Sequence, residues 1–261
     1  MNAETRHVKY AFADVIDFSV GRTVEAQVDI IAALNTAFTE AAQSLEVIFL
    51  PTGDGICASI IEVNAAADVH LQLALDVLKR IYEWAKQVPE NRRCVVRFGI
   101  NEGVDTLITD INGRRNVAGA DINQAQRLMT LADGNQIVLG RAAFDSVSVH
   151  DDYADTFREL QAEVKHGQIL TAYQFVRDGY PFLNTDVPVT VQRTDPIELA
   201  MTQALSDRAN FSTSGQARCI REATEKWEED MESILTELTG NCTAEQAADL
   251  RKAQTAWEKL S

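Results

Sequence analysis

Two hydrophobic periodicities alternate along this chain, and their order constrains the fold more than any other feature. Residues 8–18 (VKYAFADVIDF) read as a strand that turns sharply into a loop. Residues 22–43 place Val24, Val28, Ile31, Leu34, Phe38 and Ala41 at helical spacing. Two apolar, β-rich runs, 45–50 and 56–61, flank Pro51-Thr52-Gly53-Asp54-Gly55, which predicts a hairpin. Residues 65–88 return to helical spacing with Val69, Leu73, Val77, Ile81, Trp84 and Val88. Residues 94–100 (CVVRFGI) predict a buried strand, with 104–109 as its hairpin partner. A helix over 120–131, a short strand at 136–139 and one or two edge strands within 156–177 complete this region. The order β-α-β-β-α-β is that of a ferredoxin-like α+β unit, in which helices stack on one face of an antiparallel sheet.

Beyond this unit the pattern changes. Residues 179–196 carry Gly179, Pro181, Pro188 and Pro196 without a clear period and are expected to form a linker or wrapping arm. Residues 197–261 put Ile220, Ala223, Trp227, Met231, Ile234 and Leu238 on one helical face, and Leu250, Ala253, Trp257 and Leu260 on another. A helical hairpin or small bundle is expected there. The division is therefore 1–178, a linker at 179–196, and a helical C-terminal module at 197–261.

Charge narrows the partners. The formal net charge of -15 argues against a nucleic-acid or anionic-membrane surface, because phosphate contacts need clustered Lys and Arg. A small anionic substrate remains compatible, since a metal ion supplies positive charge locally. No apolar run reaches the roughly 18 residues of a membrane span, and the charged start of the chain does not read as a leader. The cysteines, Cys57, Cys94, Cys219 and Cys242, form no CxxC, which argues against a zinc site and for reduced thiols in the cytoplasm.

Three groups of residues carry chemistry. Asp14 closes an otherwise apolar strand, Phe12-Ala13-Asp14-Val15-Ile16, where an unpaired carboxylate is costly. Asp54 lies at the tip of the predicted hairpin. In a β-α-β-β unit the first strand and the hairpin share a sheet, so the two acids can converge on a pair of divalent cations. Oxygen-only ligation suits Mg2+ or Mn2+. Taken singly, Asp54 also reads as an ordinary Gly-Asp-Gly turn residue, and Asp14 as a partly exposed strand end. The third group is Asn116 to Arg127 (NVAGADINQAQR), in which Asn123 and Arg127 share one helix face. An amide and a guanidinium so placed can hold a ribose and a phosphoryl oxygen; alone, they also read as a solvated polar stripe.

Together these pieces resemble the catalytic domain of class III adenylate/guanylate cyclases. The resemblance covers roughly 8–177 and rests on FADVIDF, the hairpin around TGDG, VRFGINEG at 96–103 and NVAGADINQAQRL at 116–128, in that order. It implies that Asp14 and Asp54 hold two cations, with the Val15 carbonyl assisting. It also implies that Asn123 orients the ribose and Arg127 stabilises the pentavalent phosphorus. The family's triphosphate-binding lysine falls nearest to Lys165, with a loose match around Lys165-His166-Gly167. Because the family splits its site across a dimer interface and this chain carries both halves, the resemblance implies a homodimer with two symmetric sites.

Two positions set the base in that family. The one four residues before the hairpin aspartate, Lys or Glu in purine cyclases, is Leu50 here, which cannot hydrogen-bond a purine edge. The other is Asn116, whose amide both donates and accepts. This departure, with the compact NVAGADINQAQRL segment, is similar to the pyrimidine cyclases of the bacterial Pycsar anti-phage system. Those make cyclic UMP or cyclic CMP, which activates a separate effector. Uracil and cytosine both stay open, as does a purine cyclase with unusual base contacts or a non-catalytic relative. Arg97 reads as a support for the sheet or an aid to base binding. Residues 197–261 vaguely resemble a small helical domain of bacterial envelope proteins related to lysozyme inhibitors, through GQARCIREATEKW and LRKAQTAW. That resemblance implies a Cys219–Cys242 bridge, in tension with the reduced thiols expected beside nucleoside triphosphates.

Overall fold

Strand β1 (Glu4–Val15) is the spine of the larger unit. It alternates cleanly, with Val8, Tyr10 and Phe12 on one face and Ala11, Ala13 and Val15 on the other. The structure, a computed structural model, describes residues 4–240 except 62, 165–167 and 193–195, together with positions 243, 246, 248, 249 and 252. It divides into two compact units, Met1–Ala162 with Leu170–Arg193, and Glu163–Ile169 with Thr194–Ser261.

After β1 come α1 (Val24–Ala41), β2 (Val47–Pro51), β3 (Gly55–Ile60), α2 (Val69–Ala85), β4 (Val96–Thr109), β5 (Arg115–Ala118), α3 (Ala120–Leu131), β6 (Ile137–Leu139) and α4 (Arg141–Val147). Strands β7 (Phe157–Val164) and β8 (Gln168–Phe175) finish the sheet. Its order is β2-β3-β1-β4-β6-β8-β7, with β5 paired to β4. All described pairings are antiparallel except β4 with β6. This is the α+β architecture expected, with a helical C-terminal appendage formed by α6 (Pro196–Ser206) and α7 (Thr213–Gly240) after the short α5 (Val189–Gln192).

Helices α1 and α2 cover one face. Their Ile30, Leu34, Phe38, Leu71 and Leu78 pack on Val96, Phe98 and Ile100. Thr23 caps α1 by accepting from Ala26 N at 3.3 Å. Helix α3 takes the opposite face, where Ala125 and Met129 meet Tyr10 and Phe12. It seats on β4 at Gly99, where a Cβ would lie 2.1 Å from the Ala125 carbonyl oxygen. Only a bare backbone permits that approach.

One expectation fails here. Residues 104–109 are not the hairpin partner of 94–100 but the second half of the same 14-residue strand β4. Gly99 and Gly103 face α3 instead of making a turn, and the chain reverses later, at Asp110–Arg114, into β5. The segment 179–192 packs Tyr180, Phe182 and Leu183 against the core of the first unit. In the second unit, Cys219 and Ala223 of α7 are buried, whereas Ile220, Ile234 and Leu238 of the expected apolar face are about half exposed. The second expected face, Leu250, Ala253, Trp257 and Leu260, lies outside the described residues, as does Cys242 and hence its pairing.

A polar cluster is buried under the α2 side of the sheet. Lys9 pairs with Glu102 and donates to the Ala67 carbonyl at 2.9 Å. His70 of α2 is fully buried, with Nε2 at 3.6 Å from Glu102 Oε2. Burial, then the positive charge of Lys9, pushes the His70 imidazole down to about 3. The unfolded chain therefore takes up a proton near pH 6.5 that the folded chain refuses until about pH 3. Stability falls as pH drops through that window, by at most about 1.4 kcal/mol per unit from this group. Urea unfolding between pH 7 and 5 is expected to show a shallower acid loss for His70→Leu than for the wild type; equal slopes would remove His70 from the account.

Candidate active site

Asp14 lies one residue from the end of β1, directly opposite Gly55 of β3 and Arg97 of β4. Alternation puts it on the α3 face with Tyr10 and Phe12. Its Oδ2 accepts from Arg97 Nη2 at 2.7 Å and Nε at 3.0 Å. The side chains are 20% and 26% exposed, so this is an ion pair at the rim rather than in the core. Asp54 sits beside it, in the turn between β2 and β3. Its backbone oxygen accepts from Val15 N at 3.3 Å. Gly53, with φ +94, allows that turn, and Thr52 N closes it on the Gly55 oxygen at 2.9 Å. The Val15 side chain is buried on the opposite face.

Asp14, Val15 and Asp54 are thus brought together at one end of two adjacent strands. Among the described residues, no third His, Cys, Asp or Glu joins them as a candidate metal cluster. The donor set is two carboxylates and main-chain oxygens, all hard ligands. Mg2+ is ordinarily held by one or two carboxylates with substrate phosphates and water supplying the rest, so these residues fit such a cation.

The other residues lie along α3 and its approach. Leu50 of β2 faces Cys57, and Cys57 faces Phe12, so the three form one row on the α3 side. Val117 and Ile122 belong to the same apolar cluster as Leu50. Burial pushes the Cys57 thiol up to about 12, so it stays protonated. Asn116 turns its Oδ1 onto Val117 N at 2.6 Å. Asn123 is exposed and donates to the Gly119 carbonyl at 3.0 Å. Arg127 is exposed one turn further along. Neither makes a hydrogen bond or ion pair with Asp14 or Asp54 within the chain. Lys165 lies outside the described residues.

The start of α3 is fixed from below. Buried Asp105 accepts from Tyr10 Oη at 2.6 Å and from Ile122 N at 3.2 Å. It therefore ties the first turn of α3 to β1 and supplies a remote cap. Asn101 donates to the Asp121 carbonyl at 3.2 Å. Burial, then the charge of Asp105, raises the Asp121 carboxyl above its ordinary value. Burial and the hydrogen bond to Asp105 push the Tyr10 phenol upward, so it remains a donor at neutral pH.

Two partners were missed in the sequence: Arg97 on Asp14, and Asp105 under α3. A charged residue inside an apolar run needs a partner, and both Asp14 and Arg97 met that description. What pattern reading lacks is the register that sets them opposite each other. Two grooves of about 700 and 650 Å³ flank α1 and α2, and neither includes Asp14, Asp54, Asn123 or Arg127.

No family model and no curated protein matches the chain. Solved structures do. The adenylyl cyclase CyaB from P. aeruginosa aligns with TM-score 0.55 at 16% identity, over 68% of this chain and 97% of that one. The guanylyl cyclase Cya2 aligns with TM-score 0.57 at 17% identity, over 69% and 98%. The guanylate cyclase domain of RhGC from Catenaria anguillulae, solved with GTP, aligns with TM-score 0.53 at 19% identity, over 67% and 98%.

Asp105→Ala is expected to cost about 1–3 kcal/mol, since it strands a buried phenol and uncaps α3, while relief of Asp121 offsets part of the loss. Tyr10→Phe is expected to cost about 1 kcal/mol. Thermal unfolding of the two variants checks both, and an unchanged Tm for Asp105→Ala would contradict the capping role. The chain thus has the α+β fold of the solved adenylyl and guanylyl cyclase catalytic domains.

Proposed function

We propose that this protein is a metal-dependent nucleotidyl cyclase that converts a pyrimidine nucleoside triphosphate, UTP or CTP, into its 3′,5′-cyclic nucleotide and pyrophosphate. The observation that carries the reading is the placement of Asp14 and Asp54 side by side at one sheet end of a cyclase fold. The exposed Asn123 and Arg127 on α3 complement it.

In this reaction the ribose 3′ oxygen bonds to the α-phosphorus, the bond from that phosphorus to the bridging oxygen breaks, and the 3′ hydroxyl proton leaves. Asp14, Asp54 and the Val15 carbonyl would hold two cations, Mn2+ or Mg2+. Such ions lower the pKa of the attacking hydroxyl and neutralise phosphate charge. Asn123 fixes the ribose so that the 3′ oxygen is in line with the leaving group. Arg127 offsets the charge that builds on the phosphorus oxygens. Lys165 is assigned to the triphosphate. A net charge of -15 makes these local cations necessary for an anionic substrate.

Asn123 and Arg127 make no hydrogen bond or ion pair with the acids within the chain; the reading assigns each site to a homodimer, with the acids from one subunit and α3 from the other. The base lies against Leu50, with Asn116 at its edge. An apolar wall and one amide suit a small pyrimidine, and the product would act on a separate effector in anti-phage defence. The work belongs in the cytoplasm, where nucleoside triphosphates are; among the described residues no helix is long and apolar enough to cross a membrane. Residues 197–261 are assigned as a helical module appended to the catalytic part, 1–178, through the 179–196 arm.

One observation favours a purine substrate instead: the solved neighbours include a guanylate cyclase domain with GTP and an adenylyl cyclase. Purified protein with Mn2+ and each of the four ribonucleoside triphosphates separates the readings. Cyclic UMP or cyclic CMP is the expected product; cyclic AMP or cyclic GMP alone would overturn the base assignment, and no product from any of the four would overturn the cyclase. Asp54→Ala is expected to lower turnover by at least about a hundredfold with dimer mass unchanged.

A further inference from the structure

We infer that Arg97 is the positioning residue of the cation site: it acts as the resident counter-ion of Asp14 and sets which carboxylate oxygen faces an incoming metal. The inference rests on the reading of Asp14 as a metal ligand. Asp14 and Arg97 are direct cross-strand partners on β1 and β4, and both project from the α3 face. Nε and Nη2 of the guanidinium converge on one oxygen, Oδ2, at 3.0 and 2.7 Å. Oδ1 has no hydrogen bond to another described residue. A planar two-donor fork holds the carboxylate in one rotamer in a way that a single ammonium does not.

Two consequences follow. A cation approaching Asp14 meets a positive charge already bound to it, so metal loading in the absence of nucleotide is weakened. The carboxylate is also held in place before the metal arrives, with Oδ1 presented, so turnover gains from its orientation. A purely structural Arg97 would change stability and leave metal affinity alone.

The test is Mn2+ binding to the nucleotide-free full-length protein, followed by the electron paramagnetic resonance signal of free Mn2+. Arg97→Met is expected to bind Mn2+ at least about fivefold more tightly and to lose at least about tenfold in kcat at saturating Mn2+. Arg97→Lys keeps the charge and loses the fork. It is expected to stay within about twofold of wild type in Mn2+ affinity while kcat still falls. Arg97→Gln replaces the Met variant if circular dichroism shows that the latter does not fold. Unchanged or weaker Mn2+ binding in the uncharged variant would overturn the inference. Asp14→Asn keeps the two failures apart: if it leaves Mn2+ binding unchanged, the metal-site reading itself falls, whatever Arg97 does.

Discussion

The pairing of β1 between β3 and β4 decides where every charged group at the sheet end goes. Asp14 stands opposite Gly55 on one side and Arg97 on the other. Gly55 brings Asp54 with it, because the preceding residue hydrogen-bonds to Val15 across the same step. A slip of one residue would carry Asp14 to the α1/α2 face and put Ala13 or Val15 in its place. The apolar alternation of Val8, Tyr10 and Phe12 against Ala11, Ala13 and Val15 opposes such a slip, since both faces are buried. Core packing and site geometry are in this way the same constraint.

The second constraint is the seat of α3. Gly99 admits the helix close to β4, and Asp105 with Tyr10 holds its first turn. Ala125, Leu128 and Met129 face inward, which leaves Asn123 and Arg127 outward on the same helix. A buried, hydrogen-bonded carboxylate under the helix thus sets the position of two exposed polar groups several residues away. The grooves flanking α1 and α2 lie away from these residues.

Most of the fold was legible because its elements are strongly periodic. Helices α1, α2 and α3 and strands β1 to β3 follow from their spacing of apolar groups. The length of β4 was not, since Gly99 and Gly103 look like punctuation when they are contact points for α3. Nor did spacing say that α3 covers the face opposite α1 and α2. Of the candidate site, Asp14, Asp54, Asn123 and Arg127 were readable as motifs, whereas their partners were not. Arg97 and Asp105 acquire a role only once strand register sets one against Asp14 and the other beneath Tyr10 and Ile122. The half-exposed Ile220, Ile234 and Leu238 show the converse: a regular apolar stripe on a helix does not by itself say that the stripe is covered.

The central claim is that one working site needs the acids of one subunit and the arginine of another. Asp54→Ala and Arg127→Ala proteins, each inactive alone, can be mixed and allowed to exchange subunits. With random pairing, half of the dimers are mixed and each holds one intact site of two. The account predicts recovery of about a quarter of wild-type cyclic-nucleotide production. A mixture that stays as inactive as its components, in dimers shown by mass to have exchanged, would contradict it.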